Sequence, residues 1–384
     1  MPSRFIGTVF FLGLFLLHFE MMKNTLLPLV LSLCTISATY AQDTTYTNAT
    51  SFMLIGKGLP TNKPYVRLDS IQTRELTPAV KYLSTNSAGI AVLFETNSRF
   101  IKVKWSVNRV AYHSNMTPIV HSGLDLYGKK DGKWVWAGVG RPVNKVDAES
   151  VIVNNMDSTT KQFMLYAPTY NELTSLEIGV AAGATIGIPA KPGIDTTKRV
   201  VMYGSSIMQG ASASRPGMAY PAIIARHSGW DVVNLGFSGA GKMEFPVAEI
   251  LVTMKASVFV LDCMPNPTLD EIKERGYPFI KHLLTKRPEV PVLLVESAIY
   301  ESGNFDQRVA EVVRKKNALL TEIYTKLKQE GFKQLHYLSA KGLIGEDHEG
   351  ATDGVHLNDI GFQRQAEKVL PVVQQLVKKS SGSK

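Results

Sequence analysis

The chain has 384 residues, of which 45% are hydrophobic and 20% are charged. This balance excludes an intrinsically disordered chain, and the length predicts two folded domains. The net charge of +9 is spread along the sequence without a long basic run, so we interpret it as favouring solubility, with mild attraction to acidic surfaces, and expect no nucleic-acid partner.

Residues 1–41 have the pattern of a secretory signal peptide. Lys23 precedes an apolar run at residues 26–33. The small residues Ala38 and Ala41 then predict cleavage after Ala41.

A membrane anchor is the less favoured alternative for this leader. An earlier apolar run covers residues 5–19, and neither run reaches the roughly 20 residues that a spanning helix needs. Met21 and Met22 follow the earlier run, so translation can also begin there. Either start predicts a periplasmic or secreted protein without a stable membrane span.

Residues 42–193 consist of short apolar stretches, several of them alternating with polar residues, separated by Gly, Asn, Asp and Pro. The pattern predicts an all-β sandwich of jelly-roll type, and helical periodicity is hard to find there. The best hairpin joins residues 124–127 to residues 133–136 through Asp131 and Gly132, a dipeptide that suits the positive φ angles of a tight turn. Further predicted strands are residues 90–94, 100–107, 162–165 and 176–180.

A segment rich in Pro and Gly at residues 188–195 is the predicted linker, and residues 194–384 form the second predicted domain. Apolar runs alternate there with helical patterns, which predicts an α/β fold whose parallel sheet is covered on both faces. The predicted strands are residues 200–203, 232–235, 258–261, 292–295 and 335–338. The predicted helices are residues 219–227, 269–284, 308–331 and 360–378, the last of them kinked or interrupted near Pro371.

The residues that follow these strands are where function is expected, because ligands bind at the carboxyl ends of parallel strands. Ser205 and Ser206 follow the first strand, ahead of a predicted helix. A serine there can present its hydroxyl while the helix start offers N–H groups to developing negative charge. Taken alone, however, such a serine is more often a helix cap.

Two further strand ends carry candidate hydrogen-bond donors. Gly239 lies in a Gly-rich stretch after the second strand, where its amide can approach a substrate oxygen or simply form a tight turn. Asn266 follows the third strand, and its side-chain amide can donate to an oxyanion or form a turn before Pro267. Each residue taken alone favours the turn.

Asp353 and His356 share one loop ahead of the last predicted helix. Serine hydrolysis needs a base that removes the hydroxyl proton and a carboxylate that holds the base in the right tautomer. A carboxylate three residues before a histidine can supply both. The alternative is a helix-entry segment with Asn358 as its cap.

These four sites occur in the order of the four sequence blocks of SGNH or GDSL-like hydrolases, which the chain resembles from about Arg199 to Val377. The resemblance implies a three-layer, flavodoxin-like domain. It also implies Ser206 as nucleophile, His356 as general base and Asp353 as the residue that orients it. The implied oxyanion hole consists of the Ser206 amide, the Gly239 amide and the Asn266 side chain, with no cofactor or metal.

The chain differs from the family pattern at two blocks. Ser205 replaces the usual Asp before the nucleophile, where we interpret it as a supporting, hydrogen-bonding residue near the substrate, and Ser205 itself as the nucleophile is the less favoured alternative. Met264 and Pro267 replace the Gly and Asp that usually flank the third-block Asn. The resemblance is to a subgroup whose N-terminal domain carries a Gly-x-Asp-Leu-Tyr motif, present here at residues 123–127.

Other candidates are less specific. Arg215 and Glu244 can each contact substrate, although a surface ion pair is the more common use of such residues. Trp134 and Trp136 can stack on a sugar, although large aromatic side chains more often pack a core. Residues 346–349, Glu-Asp-His-Glu, can form a metal site, although an acidic loop is more often simply solvated.

Together these features predict an exported serine esterase that removes acetyl groups from carbohydrate. The expected partner is a small acyl ester or an acetylated glycan. One alternative is a lipase or phospholipid-type acyl hydrolase. The other is a carbohydrate-binding protein that keeps the fold without turnover.

Overall fold

The structure of the protein, a computed structural model, describes residues 43–381. The predicted signal peptide, residues 1–41, lies outside the described residues. From Thr44 onward the chain forms one compact unit, in which antiparallel sheets come first and a parallel sheet follows. Within residues 43–381, no helix has both the length and the apolar character needed to cross a bilayer.

Two antiparallel sheets form the first part of this unit. Their strands are β1 (Thr44–Asn48), β2 (Met53–Ile55), β3 (Ala91–Thr96), β4 (Ile101–Val107), β5 (Leu124–Lys130), β6 (Lys133–Gly140), β7 (Asp147–Val153), β8 (Lys161–Tyr166), β9 (Leu173–Ala181) and β10 (Ile186–Gly187). One sheet has the order β1-β9-β4-β7 and the other the order β10-β3-β8-β5-β6, with β2 paired to β3. Phe94 and Leu165 of the second sheet and Val103 and Trp105 of the first belong to one buried cluster. The predicted sandwich is therefore confirmed.

The local sequence explains these strands. In β4, Val103 and Trp105 are buried while Lys104 between them is exposed, because successive side chains of a strand point to opposite faces. The predicted hairpin is also confirmed, since Asp131 and Gly132 join β5 to β6 with φ angles of 50° and 76°.

Two short helices in this region were not predicted. They are α1 (Pro78–Ser84) and α2 (Pro118–Ser122). Thr77 and Thr117 cap them by accepting a hydrogen bond from a backbone N–H of the first turn. Helices this short show no clear 3.6-residue periodicity, and the available signal was the Thr-Pro dipeptide, a capping residue followed by a residue suited to the first helical position.

A five-stranded parallel sheet forms the second part of the unit. Its strands are β11 (Asp195–Gly204), β12 (Trp230–Gly236), β13 (Val258–Asp262), β14 (Val292–Val295) and β15 (Leu335–Leu338), in the spatial order β12-β11-β13-β14-β15. Val201 and Tyr203 pack into one apolar cluster, whereas Val200 and Met202 pack into another on the opposite face. Apolar layers on both faces and this strand order confirm the predicted three-layer, flavodoxin-like architecture.

The helices of this part are α3 (Ser206–Gln209), α4 (Tyr220–Ser228), α5 (Phe245–Thr253), α6 (Leu269–Glu271), α7 (Tyr277–Lys286), α8 (Gln307–Gln329) and α9 (Asp359–Ser381). Helix α5 was not predicted, because its sequence is largely apolar without a distinct polar face. A π-helical turn at Ile272–Gly276 divides the single helix predicted at residues 269–284, just before Pro278, which has no N–H to donate. Helix α9 continues through Pro371, so the predicted interruption is absent.

Candidate active site

Ser206 lies at the turn between β11 and α3. The preceding Gly204 is packed so closely that a Cβ atom would come within 2.4 Å of the Asp262 carbonyl oxygen, so only glycine fits there. Ser205 is fully buried, and its hydroxyl caps α3 by accepting a hydrogen bond from the Ile207 amide at 3.2 Å. Ser205 thus supports the turn through the backbone, whereas its neighbour Ser206 points its hydroxyl towards His356.

The side chains of Ser206, His356 and Asp353 form a continuous hydrogen-bonded row. Ser206 Oγ lies 3.0 Å from His356 Nε2, and His356 Nδ1 lies 2.8 Å from Asp353 Oδ2. In this geometry the carboxylate fixes a proton on Nδ1 and leaves Nε2 free to accept the serine proton. The structure therefore brings together the three residues that the sequence pattern selected, from positions 150 residues apart in the chain.

The loop that carries Asp353 is held by its own backbone. Asp353 Oδ1 accepts hydrogen bonds from the amides of Val355 at 3.0 Å and His356 at 2.7 Å. Partial burial alone would raise the pKa of Asp353. Hydrogen bonds from His356, Asn115 and Val355 outweigh that effect and hold the pKa well below its usual range. Asn358 also has the capping position considered for it, since its Oδ1 accepts from the Gly361 amide in the first turn of α9.

The three candidate oxyanion donors follow adjacent strands of the sheet. Gly204 of β11 is in register with Gly236 of β12 and with Asp262 of β13, so Ser206, Gly239 and Asn266 lie two, three and four residues beyond the same level. Gly239 has a φ of 69°, and the space around its Cα is open.

Hydrogen bonding leaves these donors available. Asn266 Nδ2 donates one hydrogen bond to the Phe237 carbonyl at 3.0 Å, which ties the loops after β12 and β13 together. Its second hydrogen has no partner within residues 43–381. Among the described residues, the backbone amides of Ser206 and Gly239 have no hydrogen-bond partner. Unpaired N–H groups at the carboxyl edge of the sheet suit an oxyanion.

The antiparallel region contributes contacts to this site that sequence reasoning missed. Asn115, in the loop between β4 and α2, donates from Nδ2 to Asp353 Oδ2 at 2.9 Å and lies 3.3 Å from His356 Nδ1. Tyr170 donates to the backbone carbonyl of Ser206 at 3.3 Å. No motif surrounds either residue, so no sequence signal pointed to them.

Arg215 forms a contact between the two regions. Its guanidinium lies 2.9 Å from the fully buried carboxylate of Asp125 and also donates to the hydroxyl of Tyr127. Asp125 further accepts a hydrogen bond from the Gly217 amide at 2.8 Å, and a Cβ atom on Gly217 would meet both Asp125 and Tyr127. Asp125 and Tyr127 of the Gly-x-Asp-Leu-Tyr motif therefore hold the loop that follows α3.

Glu244 and Trp136, two further candidates for substrate contact, form hydrogen bonds with other protein groups. Glu244 accepts hydrogen bonds from the Tyr203 hydroxyl at 3.3 Å and the Lys242 amide at 3.2 Å. Trp136 is 51% exposed, with its indole N–H donating to Asp125 at 3.1 Å and its ring 5.3 Å from the guanidinium of Arg215. Trp136 is thus outside the sandwich core.

Two residues of the acidic loop at residues 346–349 contact charged side chains elsewhere in the chain. Asp347 binds Arg364 through both carboxylate oxygens, at 2.6 and 2.7 Å, and His348 lies 2.9 Å from Glu301. Within residues 43–381, no group of three or more His, Cys, Asp or Glu side chains is placed to hold a metal ion.

Family models match both parts of the chain. One described as the GDSL-like lipase/acylhydrolase family matches residues 197–374. A second, the GxDLY model for the N-terminus of SGNH-hydrolase-type esterases, matches residues 44–186. None of the curated proteins compared with the chain matches it.

Solved structures are similar over the same span. A protein described as a GDSL-like lipase from Bacteroides ovatus is 44% identical, with 88% of this chain and 98% of that chain covered and a TM-score of 0.84. A salicylyl-acyltransferase from a tetracycline biosynthetic pathway is 18% identical, with 87% and 97% covered and a TM-score of 0.70. A family two carbohydrate esterase from Cellvibrio japonicus is 11% identical, with 88% and 98% covered and a TM-score of 0.58. The last two show a shared fold.

Proposed function

Since the chain belongs to the GDSL-like lipase/acylhydrolase family, we propose that it is an exported serine esterase that removes acetyl groups from carbohydrate. The observation that carries the proposal is the row of short contacts from Ser206 Oγ to His356 Nε2 and from His356 Nδ1 to Asp353. A serine hydroxyl is a weak nucleophile until a neighbouring base accepts its proton.

The proposed reaction has two steps. Ser206 Oγ attacks the ester carbonyl carbon while its proton passes to His356 Nε2, and the carbonyl oxygen becomes an oxyanion facing the amides of Ser206 and Gly239 and the side chain of Asn266. The C–O bond to the alcohol then breaks, and the alcohol leaves with the proton from His356. Water, deprotonated by His356, releases the acid from the acyl-enzyme and restores the Ser206 hydroxyl.

The proposal also names a carbohydrate substrate and a location outside the cytoplasm. The fold is shared with a family two carbohydrate esterase, and the half-exposed ring of Trp136 offers an aromatic face of the kind on which sugars stack. Export is supported by the apolar run and the small residues that precede Gln42. A mature N-terminus at Gln42 in the extracytoplasmic fraction tests export.

Replacing the proposed nucleophile tests the activity. Ser206→Ala should lower kcat for a generic acetyl ester by at least about 10³-fold, with the thermal midpoint nearly unchanged. Ser205→Ala is the matched control and should lose far less activity, because its hydroxyl caps a helix. Activity that survives Ser206→Ala would exclude Ser206 as nucleophile.

A substrate screen then separates the candidate functions. Release of acetate from acetylated xylan and mannan, with little turnover of long-chain lipid esters, is the expected result. Preferential cleavage of lipid esters would favour a lipase. Glycan binding without turnover of any ester would favour a carbohydrate-binding protein.

A further inference from the structure

The side chain of Asn115 reaches the proposed triad from the antiparallel region. It comes from the loop between β4 and α2, far from the motif residues in the chain, and its Nδ2 lies 2.9 Å from Asp353 Oδ2. We propose that Asn115 is a positioning residue, which holds the Asp353 carboxylate in the orientation that aligns His356 with Ser206. This inference rests on the proposed esterase function.

The hydrogen bonds around Asp353 show what the Asn115 amide adds. Oδ1 is occupied by two backbone amides, from Val355 and His356. Oδ2 accepts from the His356 ring and from Asn115, so each carboxylate oxygen has two donors. Without Asn115, the His356 ring would be the one remaining donor to Oδ2 among the described residues, so the carboxylate, in a side chain that is one-third exposed, would be held less firmly on the side that faces His356.

The Asn115 side chain is an uncharged donor to the Asp353 carboxylate. Among the described residues, the donors to the Asp353 carboxylate are His356, Asn115 and Val355, and none of them is a permanently charged cation. The amide therefore donates without competing with His356 for the negative charge. When His356 Nδ1 carries its proton, the 3.3 Å contact from Asn115 joins two donors, so only Asp353 accepts from both.

The loop is fixed on both sides of Asn115, as a positioning role requires. Thr117 donates to the Ser214 carbonyl of the loop after α3 at 2.7 Å. Met116 packs against the apolar cluster that contains Ile207 of α3. On the other side, the Arg109 carbonyl accepts from the Asn171 side chain at 2.8 Å. These anchors lie in the backbone and in neighbouring side chains, so Asn115 can be changed without releasing the loop.

Two variants at Asn115 and one control on the same loop test the proposal with p-nitrophenyl acetate. Asn115→Ala should lower kcat by about 10- to 100-fold, the range expected for loss of a hydrogen bond to a charged group, with little change in KM. Asn108→Ala is the control, because Asn108 is exposed and forms no side-chain hydrogen bond within the described residues. It should keep the parent's kcat.

The isosteric variant Asn115→Asp adds a readout that a purely structural role would not change. The variant places a second carboxyl group 2.9 Å from Asp353 Oδ2, where two carboxylates do not both ionise readily, so the pair titrates together and the acid limb of the kcat/KM profile should shift from that of the parent. Inactivation by a fluorophosphonate, which reports the reactivity of Ser206 without an ester substrate, should slow in parallel for both Asn115 variants.

The outcomes separate this inference from the function on which it rests. A parent protein that neither cleaves any ester nor reacts with the fluorophosphonate overturns both. An active parent whose Asn115 variants keep its kcat and its pH profile overturns the positioning role alone. A fall in kcat that only follows a fall in thermal midpoint also overturns it, whereas a fall at constant midpoint with the shifted profile supports it.

Discussion

The antiparallel and parallel regions of the molecule differ in where their site residues lie. In the parallel region, Ser206, Gly239 and Asn266 come directly after three adjacent strands, so chain position alone brings them to one edge. In the antiparallel region, Asn115 and Tyr170 come from loops and reach the same site only because the two regions pack together.

The antiparallel region contacts the candidate site directly. A sandwich beside a hydrolase domain can be a separate binding module, but here its side chains touch Asp353 and the backbone of Ser206, and its buried Asp125 pairs with Arg215. The contacts make the antiparallel region part of the framework of the site. Three stability measurements probe, in turn, the contact between the regions, the interior of the parallel region and a hairpin turn of the sandwich.

The largest expected effect is at Asp125. Asp125→Ala removes an acceptor that three donors share, namely the Arg215 guanidinium, the Gly217 amide and the Trp136 indole N–H. Breaking one side of a buried ion pair costs about 3–5 kcal/mol, which urea denaturation should show as a lower free energy of unfolding. In the double variant with Arg215→Met the loss should be less than additive. A loss below about 1 kcal/mol would mean that this pair does not hold the two regions together.

An intermediate effect, of opposite sign, is expected at Asp262 in the parallel region. Its carboxylate is buried and accepts hydrogen bonds from Tyr220 and Gln365, both neutral, and burial raises its pKa to about 6. Between about pH 4 and pH 6 the folded chain therefore binds more protons than the unfolded chain, so the free energy of unfolding falls as pH rises through this range.

Asp262→Asn should remove that part of the pH dependence. The amide stays neutral while its oxygen can accept the same two hydrogen bonds, so the variant should be more stable than the parent at pH 7, by up to about 3 kcal/mol. Urea denaturation at several pH values between 4 and 7 measures this. Asp270→Asn, at a side chain that is 94% exposed, controls for loss of a charge. An unchanged pH slope in Asp262→Asn would show that Asp262 is not the titrating group.

The smallest effect is expected at the hairpin turn between β5 and β6. Gly132 has a φ of 76° and open space around its Cα, so Gly132→Ala meets no clash and costs only the left-handed backbone conformation, about 1 kcal/mol. Gly187→Ala, also in open space but without a positive φ, should be neutral or slightly stabilising. Esterase activity should be unchanged in both. Equal stabilities of the two variants would contradict the conformational explanation.

Much of the fold could be predicted from the sequence because each element has a local cause. Alternation in β4, the Asp131-Gly132 turn and the apolar runs of the parallel strands all act within a few residues. Prediction failed where local pattern is weak or is overridden. Helices α1 and α2 are too short to show periodicity, and α9 accommodates Pro371 within a long helix packed against the sheet.

For the candidate site, the sequence pointed to Ser206, Asp353 and His356 through the resemblance of the ordered motifs to SGNH or GDSL-like hydrolases, because each motif taken alone was better explained as a cap or a turn. It left open what Ser205 and Arg215 do. Only the tertiary structure decided that Ser205 caps a helix, that Arg215 pairs with Asp125, and that Asn115 approaches Asp353. The physical reason is that these contacts join segments with no fixed spacing along the chain, so they exist only once the two regions have packed together.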